Sequence, residues 1–379
     1  MKNDFVITLR GCLQSLSGMP CRICKCDSEA KKPLVLMDTV ISPKYNEHIF
    51  ALAYNEWLGG KETGKGYALI PKFISVAGEL LEVKTLGEEC TCDFCFKVKI
   101  EEPYTLLKGR VAIVTGAAQG FGYEIASRLA ASGTMVFLDD INRKGVDDLS
   151  REMNELYGQD ATHPLYGDVT KEDDVIDMFD TIIKSVGGID LVVSNVGVLK
   201  AYSILNQDLE DFEFVTNHNY IAFMLISKHA ANIMKMQWEQ SPKSYYDIIQ
   251  TNSKSGLTGS NKNGAYAGSK FGSLGLVQSY ALELGEYNIK VNAVCPGNFL
   301  DGPLWSDPES GLFAQYLRIN KVPGAKTVAE VRKNYEAKIL LGKRGCEGLD
   351  VFKAVRYLVD QCYETGQALP VTGGQIMLN

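Results

Sequence analysis

The sequence predicts an α/β fold, a doubly wound parallel sheet over residues 109–379, preceded by a small β-rich domain over residues 1–108. Three observations carry this expectation. From residue 109 onward, short β-rich runs alternate with helical patterns, as parallel βαβ units require. The first of these strands ends in a glycine-rich turn that opens a helix. The cysteines are unevenly placed: Cys12, Cys21, Cys24, Cys26, Cys90, Cys92 and Cys95 precede residue 100, and only Cys295, Cys346 and Cys362 follow. That asymmetry marks two different modules.

Taken in order, "RVAIVTG" reads as a strand ending in Gly116, "GYEIASRLAASG" as a helix, and "TMVFLDD" as a second strand. "GVDDLSREMNELYG" continues as helix, "ATHPLYGDV" contains a strand, and "EDDVIDMFDTIIKSVG" is again helical. "IDLVVSNVG", "YYDIIQTNS" and "NIKVNAVCPG" supply further strands, separated by the helical "YIAFMLISKHAANIMKMQ" and the helix opened by "GAYAGSK". Right-handed crossovers then generate the doubly wound arrangement. Before residue 108, "YALIPKFISVAGELLEVKTLG" and "CFKVKIEEPYTLL" are β-branched and aromatic runs broken by Gly and Pro, so no long amphipathic helix is expected there. The short stretch "EEPYTLLKG" joins the two modules.

Bulk properties narrow the function. A net charge of -7 argues against general nucleic-acid binding, which needs a basic surface. No apolar run approaches the roughly 18 residues of a spanning helix. The first residues, "MKNDFVITLRGCLQSLSG", make a poor signal peptide, so a cytoplasmic protein is expected.

The turn "TGAAQGFG" holds Gly116, Gln119, Gly120, Phe121 and Gly122 between strand and helix. Gly116 permits a tight turn, Gly120 lets the backbone approach a pyrophosphate, and the helix N-terminus offers unpaired N–H groups to it. Asp140 ends the second strand 24 residues beyond Gly116, with Asp139 before it. A carboxylate at that point accepts the adenosine ribose hydroxyls and repels a 2′-phosphate, which predicts NAD over NADP. Tyr266 and Lys270 stand four apart where a helix opens, one above the other on a single face.

The spacing "TGxxxGxG" resembles the short-chain dehydrogenase/reductase family, and further matches follow in order. Asp168 and Val169 match its adenine-contacting pair, and Asn195 and Gly197 in "SNVG" its "NNAG" strand end. Asn219 matches an Asn that kinks a helix, Ser253 lies thirteen residues before Tyr266, and "CPG" supplies Pro296 and Gly297. The match spans about 270 residues. Where many members carry a Thr after "PG", this chain has Asn298; Ser194 and Val196 are milder departures.

The resemblance implies a Rossmann-type fold and hydride transfer between an alcohol and the nicotinamide. Tyr266 would be the general acid/base, Ser253 would hydrogen-bond the reacting oxygen, and Asn219 would complete a proton relay. Lys270 would hold the nicotinamide ribose, and its cation would lower the phenol's pKa. Within the family, "GNFLDGPLW", "GKRGC" and "ETGQALPVTGGQIM" resemble a subgroup acting on polyol phosphates. Another polyol or secondary alcohol is the alternative, followed by an NAD-binding redox sensor. Cations expected near the mouth are Lys200, Lys254, Lys262, Arg318, Lys321 and Lys326, with residues 301–342 as a lid. A homo-oligomer is implied as well.

Cys21-x-x-Cys24 and Cys92-x-x-Cys95 together suggest two knuckles of a four-thiolate zinc site. An iron–sulfur cluster would use the same ligands, and buried free thiols are the third possibility.

Overall fold

The described chain opens with a helix, α1 (Asn3–Ser17), where sequence reading expects none. The computed structural model describes residues 3–17, 20–25, 34–36, 50, 53–54, 57, 67–76, 79–85, 88–89, 95–99 and 107–377. The buried side of α1 mixes Phe5, Leu9 and Leu13 with Arg10 and Gln14, so its stripe does not read as apolar. The side-chain partners of those polar residues lie 176 to 232 positions further along, beyond any local window.

Seven short strands follow: β1 (Cys21–Lys25), β2 (Leu34–Leu36), β3 (Tyr67–Pro71), β4 (Phe73–Val76), β5 (Glu79–Thr85), β6 (Glu88–Glu89) and β7 (Cys95–Lys99). They form a four-stranded sheet in the order β1-β5-β4-β2 and a three-stranded sheet in the order β3-β7-β6. The β-rich character expected of this region therefore holds.

The main sheet begins at β8 (Val111–Thr115), a fully buried apolar run. Next come α2 (Gly120–Ala131), β9 (Met135–Asp139), α3 (Arg143–Tyr157), β10 (Thr162–Leu165), α4 (Glu172–Val186) and β11 (Leu191–Ser194). After α5 (Leu209–Thr216), a π turn over Asn217–Ile221 leads into α6 (Ala222–Gln240) and β12 (Tyr246–Thr251). The chain continues through α7 (Gly264–Leu284), β13 (Ile289–Pro296), α8 (Pro303–Ser306), α9 (Leu312–Arg318), α10 (Val328–Ala337), α11 (Gly348–Asp360) and β14 (Ala368–Val371).

Strand order is β10-β9-β8-β11-β12-β13-β14, with every pairing parallel. The strands are apolar nearly throughout because helices cover both faces. The order reverses between β8 and β11, and the carboxyl ends of these strands open the crevice where ligands bind in such sheets. On one face Ile125, Leu129, Val146 and Leu149 pack with Val351, Val355 and Leu358. On the other, a continuous apolar cluster includes Phe5 and Ile23 together with Ile182, Phe223 and Met234, so α1 and β1 share a core with the main sheet.

The close fit of α1 to α6 depends on Gly11. A Cβ there would come within 2.8 Å of the Gln237 carbonyl oxygen and of Gln240 Cβ, closer than real Cβ atoms approach. Beneath this contact Arg10 is fully buried. It donates to Asp190 Oδ1 at 3.0 Å and Oδ2 at 2.7 Å, to Gln237 Oε1 at 2.9 Å, and to the Cys21 carbonyl at 2.7 Å. Burial opposes the Asp190 charge, but the Arg10 guanidinium and the Val111 N–H outweigh it and hold the carboxyl below its ordinary range. A second buried group lies nearby in the sheet, where Asp247 pairs with Arg110 at 2.6 Å and with Lys290 at 2.8 Å.

Candidate active site

The glycine-rich turn takes the shape that its residues allow. Gly116 and Gly120 adopt φ of +64° and +62°, a region that L side chains rarely enter. A Cβ on Gly122 would lie 2.0 Å from the Gly116 carbonyl oxygen, so the helix can start this close to the strand only without one. No side chain caps α2, since Gln119 makes no capping bond, and its first N–H groups remain available at the crevice.

A cavity of 470 Å³ runs from this turn across the carboxyl ends of the strands. It is lined by Gly116, Gln119, Gly120 and Phe121 at one side, then by Asp140, Asp168 and Val169. Asn195, Gly197, Pro296 and Gly297 also line it, as do Ser253, Tyr266 and Lys270. Of the proposed catalytic and cofactor-binding residues, Gly122 and Asn219 are the two that do not line it.

Asp140 is half-buried at the end of β9. Its carboxylate accepts from Ala118 N at 3.1 Å and Asn142 N at 2.9 Å, which fixes it at the cavity wall. Asp139 is buried, accepts from Gly167 N at 2.9 Å, and has its carboxyl pushed well up by burial. Asp168 is held by Thr170, which donates to Oδ1 through both N–H and hydroxyl. Asn195 donates to the Thr115 carbonyl at 3.1 Å, tying β11 to β8.

Asn298 is the feature that the family pattern does not foresee. It is buried, it lines the cavity, and its Nδ2 has no partner among the described residues. A buried donor without an acceptor is costly, so this amide is a candidate to turn toward a ligand at the cavity wall. The Asp140 carboxylate as acceptor and the free N–H groups of α2 as donors fit a nicotinamide dinucleotide.

The proton-transfer groups come from β12 and α7. Ser253 follows β12, and its Oγ accepts from Ser255 N at 3.0 Å while its hydroxyl favours the Tyr266 phenolate. Tyr266 stands in the first turn of α7. Lys270 is buried one turn on, and its Nζ donates to the Thr251 carbonyl at 3.0 Å. That ammonium lies 5.8 Å from the Tyr266 ring centroid. Burial raises the phenol above its ordinary pKa, with the Ser253 bond acting the other way, and lowers Lys270 to about 8. The lowering expected from the Tyr–Lys spacing is therefore not realised among the chain's own groups: burial dominates, and only the Ser253 hydroxyl works against it.

Asn219 occupies the π turn, as the helix-kinking match implies. Its Oδ1 accepts from Val198 N at 2.8 Å, and its Nδ2 donates to the Val198 carbonyl at 2.9 Å and to Ser269 Oγ at 3.1 Å. It stands behind Gly197: a Cβ on that glycine would be 3.4 Å from Lys270 Nζ and 3.7 Å from Asn219 Oδ1.

Residues 301–342 fold over the cavity as α8, α9 and α10. Trp305 meets Phe313, Tyr316 and Tyr335 with ring centroids 5.1, 5.7 and 4.9 Å away, and Leu199 and Ala201 belong to the same cluster. Of the six cations expected at the mouth, only Lys254 lines the cavity. Lys200 is paired with Asp211, Arg318 donates to the Glu309 carbonyl, and Lys262 donates to the carbonyls of Ile319 and Asn320.

The zinc expectation needs correction at its first pair. Cys21 and Cys24 lie in a strand, paired with Thr85 and Glu82 of β5, and not in a reverse turn. Residues three apart in a strand face opposite ways, so these two thiols cannot grip one ion. Cys21 is buried, its Sγ donates to the Arg10 carbonyl, and burial pushes the thiol up to about 12. Cys92 and the side chain of Cys95 lie outside the described residues. Among the described residues no group of three or more His, Cys, Asp or Glu could hold a metal, and no helix is long and apolar enough to cross a membrane.

Comparison with known proteins agrees with this geometry. Residues 110–307 match the short chain dehydrogenase family. The sorbitol-6-phosphate 2-dehydrogenase of Escherichia coli (strain K12) is 33% identical over 271 residues, covering 71% of this chain and 99% of the relative. A 3alpha-hydroxysteroid dehydrogenase of Mediterraneibacter gnavus is 30% identical over 272 residues, covering 71% of this chain and 98% of the relative. The crystal structure of sorbitol-6-phosphate 2-dehydrogenase from Erwinia amylovora superimposes with a TM-score of 0.65 at 33% identity, covering 70% of this chain and 100% of that one. The chain belongs to the short chain dehydrogenase family, oxidoreductases that act on CH–OH groups with a nicotinamide dinucleotide, NAD(P).

Proposed function

We propose that the protein is an NAD-dependent dehydrogenase acting on a secondary alcohol of a polyol phosphate, interconverting sorbitol 6-phosphate and fructose 6-phosphate. The observation that carries the reaction is the meeting of Ser253, Tyr266 and Lys270 in the same cavity as the glycine turn and Asp140. Likeness to sorbitol-6-phosphate 2-dehydrogenases over 99% and 100% of their lengths supports the substrate. Asp140 supports NAD, since a fixed carboxylate accepts ribose hydroxyls and repels a 2′-phosphate.

The nicotinamide, when bound, accepts a hydride from the carbinol carbon. The chain's own groups handle the proton. In the oxidation direction the Tyr266 phenolate takes the proton from the substrate hydroxyl, and Ser253 Oγ hydrogen-bonds the same oxygen as it becomes a carbonyl. With the cofactor bound, the Lys270 cation would favour the phenolate against burial, and Asn219, held by Val198 and Ser269, would complete the proton relay. Asn298 Nδ2 would meet the carboxamide. Residues 109–379 carry this chemistry, and α1 and β1 pack into the core of the main sheet.

The aromatic lid favours a second reading, an apolar secondary alcohol held against Trp305 and Leu312. Following NADH formation by absorbance with sorbitol 6-phosphate, free sorbitol and a hydroxysteroid separates the two. Reduction of NAD by sorbitol 6-phosphate is expected; turnover of the steroid alone would overturn the polyol phosphate reading.

A further inference from the structure

Under the lid stand three cations that lack acids: Lys254 at the cavity wall, and Lys321 and Lys338 on the Tyr316 and Tyr335 rings that line it. Lys254 follows Ser253 directly and lines the cavity. Lys321 Nζ lies 4.0 Å from the Tyr316 ring centroid and 3.4 Å from Ser260 Oγ. Lys338 Nζ lies 4.9 Å from the Tyr335 ring centroid. Tyr316 and Tyr335 stack on one another with centroids 5.5 Å apart, and both line the cavity with Ser260. Two parallel rings thus hold two ammonium groups beside a third.

The cations around this group are compensated. Lys200 pairs with Asp211, and Arg332 pairs with Asp301 and Glu336. Lys262 is occupied by two carbonyls at the end of α9. Among the described residues no carboxylate comes within 4.0 Å of Lys254, Lys321 or Lys338.

Crowding these charges has a cost. Burial, and then the Lys338 charge, lowers Lys254 to about 8. Burial, and then Lys254, Lys338 and Lys262, lowers Lys321 to about 7. Like charges held together without an acid are destabilising until an anion joins them.

We propose that Lys254, Lys321 and Lys338, with the Ser260 hydroxyl, form the seat for the phosphate ester of the substrate, an inference that rests on the polyol phosphate reading above. A phosphomonoester dianion presents three oxygens to three cations and a hydroxyl. The seat adjoins the proton-transfer groups, since Lys254 is the neighbour of Ser253. Its members come from two parts of the fold. Lys254 and Ser260 belong to the segment after β12, whereas Lys321 and Lys338 belong to the lid. The phosphate therefore ties the lid to the catalytic scaffold, and a substrate without it leaves the lysines repelling one another.

The test uses the full chain and the variants Lys321→Met, Lys338→Met and the double variant. The quantity read is the ratio of kcat/KM for sorbitol 6-phosphate to that for free sorbitol. Each substitution is expected to lower that ratio about ten-fold, the usual effect of losing a charged hydrogen bond. An unchanged ratio in the double variant would overturn the seat while leaving the dehydrogenase reading intact.

If neither sorbitol compound is turned over, the substrate reading fails by itself, and inorganic phosphate then probes the seat directly. Wild-type melting that rises with phosphate, and a double variant that does not respond, would support the seat. A wild-type protein indifferent to phosphate would refute it.

Discussion

Replacing Arg10 with Met removes a guanidinium that makes four hydrogen bonds in a fully buried place. Breaking a buried ion pair from one side typically costs about 3–5 kcal/mol, because the other charge stays behind. Asp190 would keep two donors, Val111 N at 2.8 Å and Gln14 Nε2 at 3.2 Å, which places the expected loss near the lower end, about 3 kcal/mol. With a urea slope of about 3 kcal/mol/M for a chain of this size, the midpoint should fall by about 1 M. Urea unfolding followed by tryptophan fluorescence reads this directly. The pH dependence has a definite sign. The folded Asp190 carboxyl sits below its unfolded value of about 3.9, so the pair stabilises above about pH 4 and its contribution disappears as pH falls further. The gap between wild type and variant should therefore narrow below about pH 4. Adding Asp190→Asn should restore part of the loss by removing the stranded charge. A single-variant loss under about 1 kcal/mol, the worth of an exposed pair, would refute this account of Arg10.

Tyr266→Phe should abolish turnover while NAD binding, read by quenching of tryptophan fluorescence, stays within about two-fold of wild type; retained turnover would remove Tyr266 from the proton transfer. Asp140→Ala should weaken discrimination against NADP by about ten-fold or more, measured as the ratio of kcat/KM for the two cofactors, and an unchanged ratio would show that another group reads the ribose. Light scattering should give a mass that is a multiple of 41.7 kDa, and a species of 41.7 kDa alone would contradict the homo-oligomer.

Much of this molecule is legible in its sequence because the relevant physics is local. A buried parallel strand is a short apolar run, and β8, β11 and β13 stand out for that reason. The glycine turn is legible because only glycine fits its backbone. The features that escaped depend on partners far along the chain. Arg10 looks like an interruption of an apolar stripe until Asp190 meets it. Lys338 stands as one lysine among many in a helical stretch, and only the stacking of Tyr316 on Tyr335 brings it beside Lys321. The thiols misled through spacing. "CRICK" matches a metal knuckle, yet it equally alternates inward Cys21 and Ile23 with outward-facing Arg22 and Cys24, and the pairing with β5 selects the strand.

Two of the buried aspartates of the main sheet, Asp190 and Asp247, share a position that gives the fold a direction. Asp190 immediately precedes β11 and Asp247 lies at the start of β12, so both anions sit at the amino edge, each clamped by cations. The carboxyl edge carries the cavity, the helical lid and three lysines that repel one another. Rigidity is concentrated at one end of the strands and unspent electrostatic tension at the other. Binding energy delivered at the open edge then has little to deform below it, and is directed into drawing the lid down on the reacting carbon. In this light α1 serves as a foundation, packed into the same core as the helix that carries Tyr266 and Lys270.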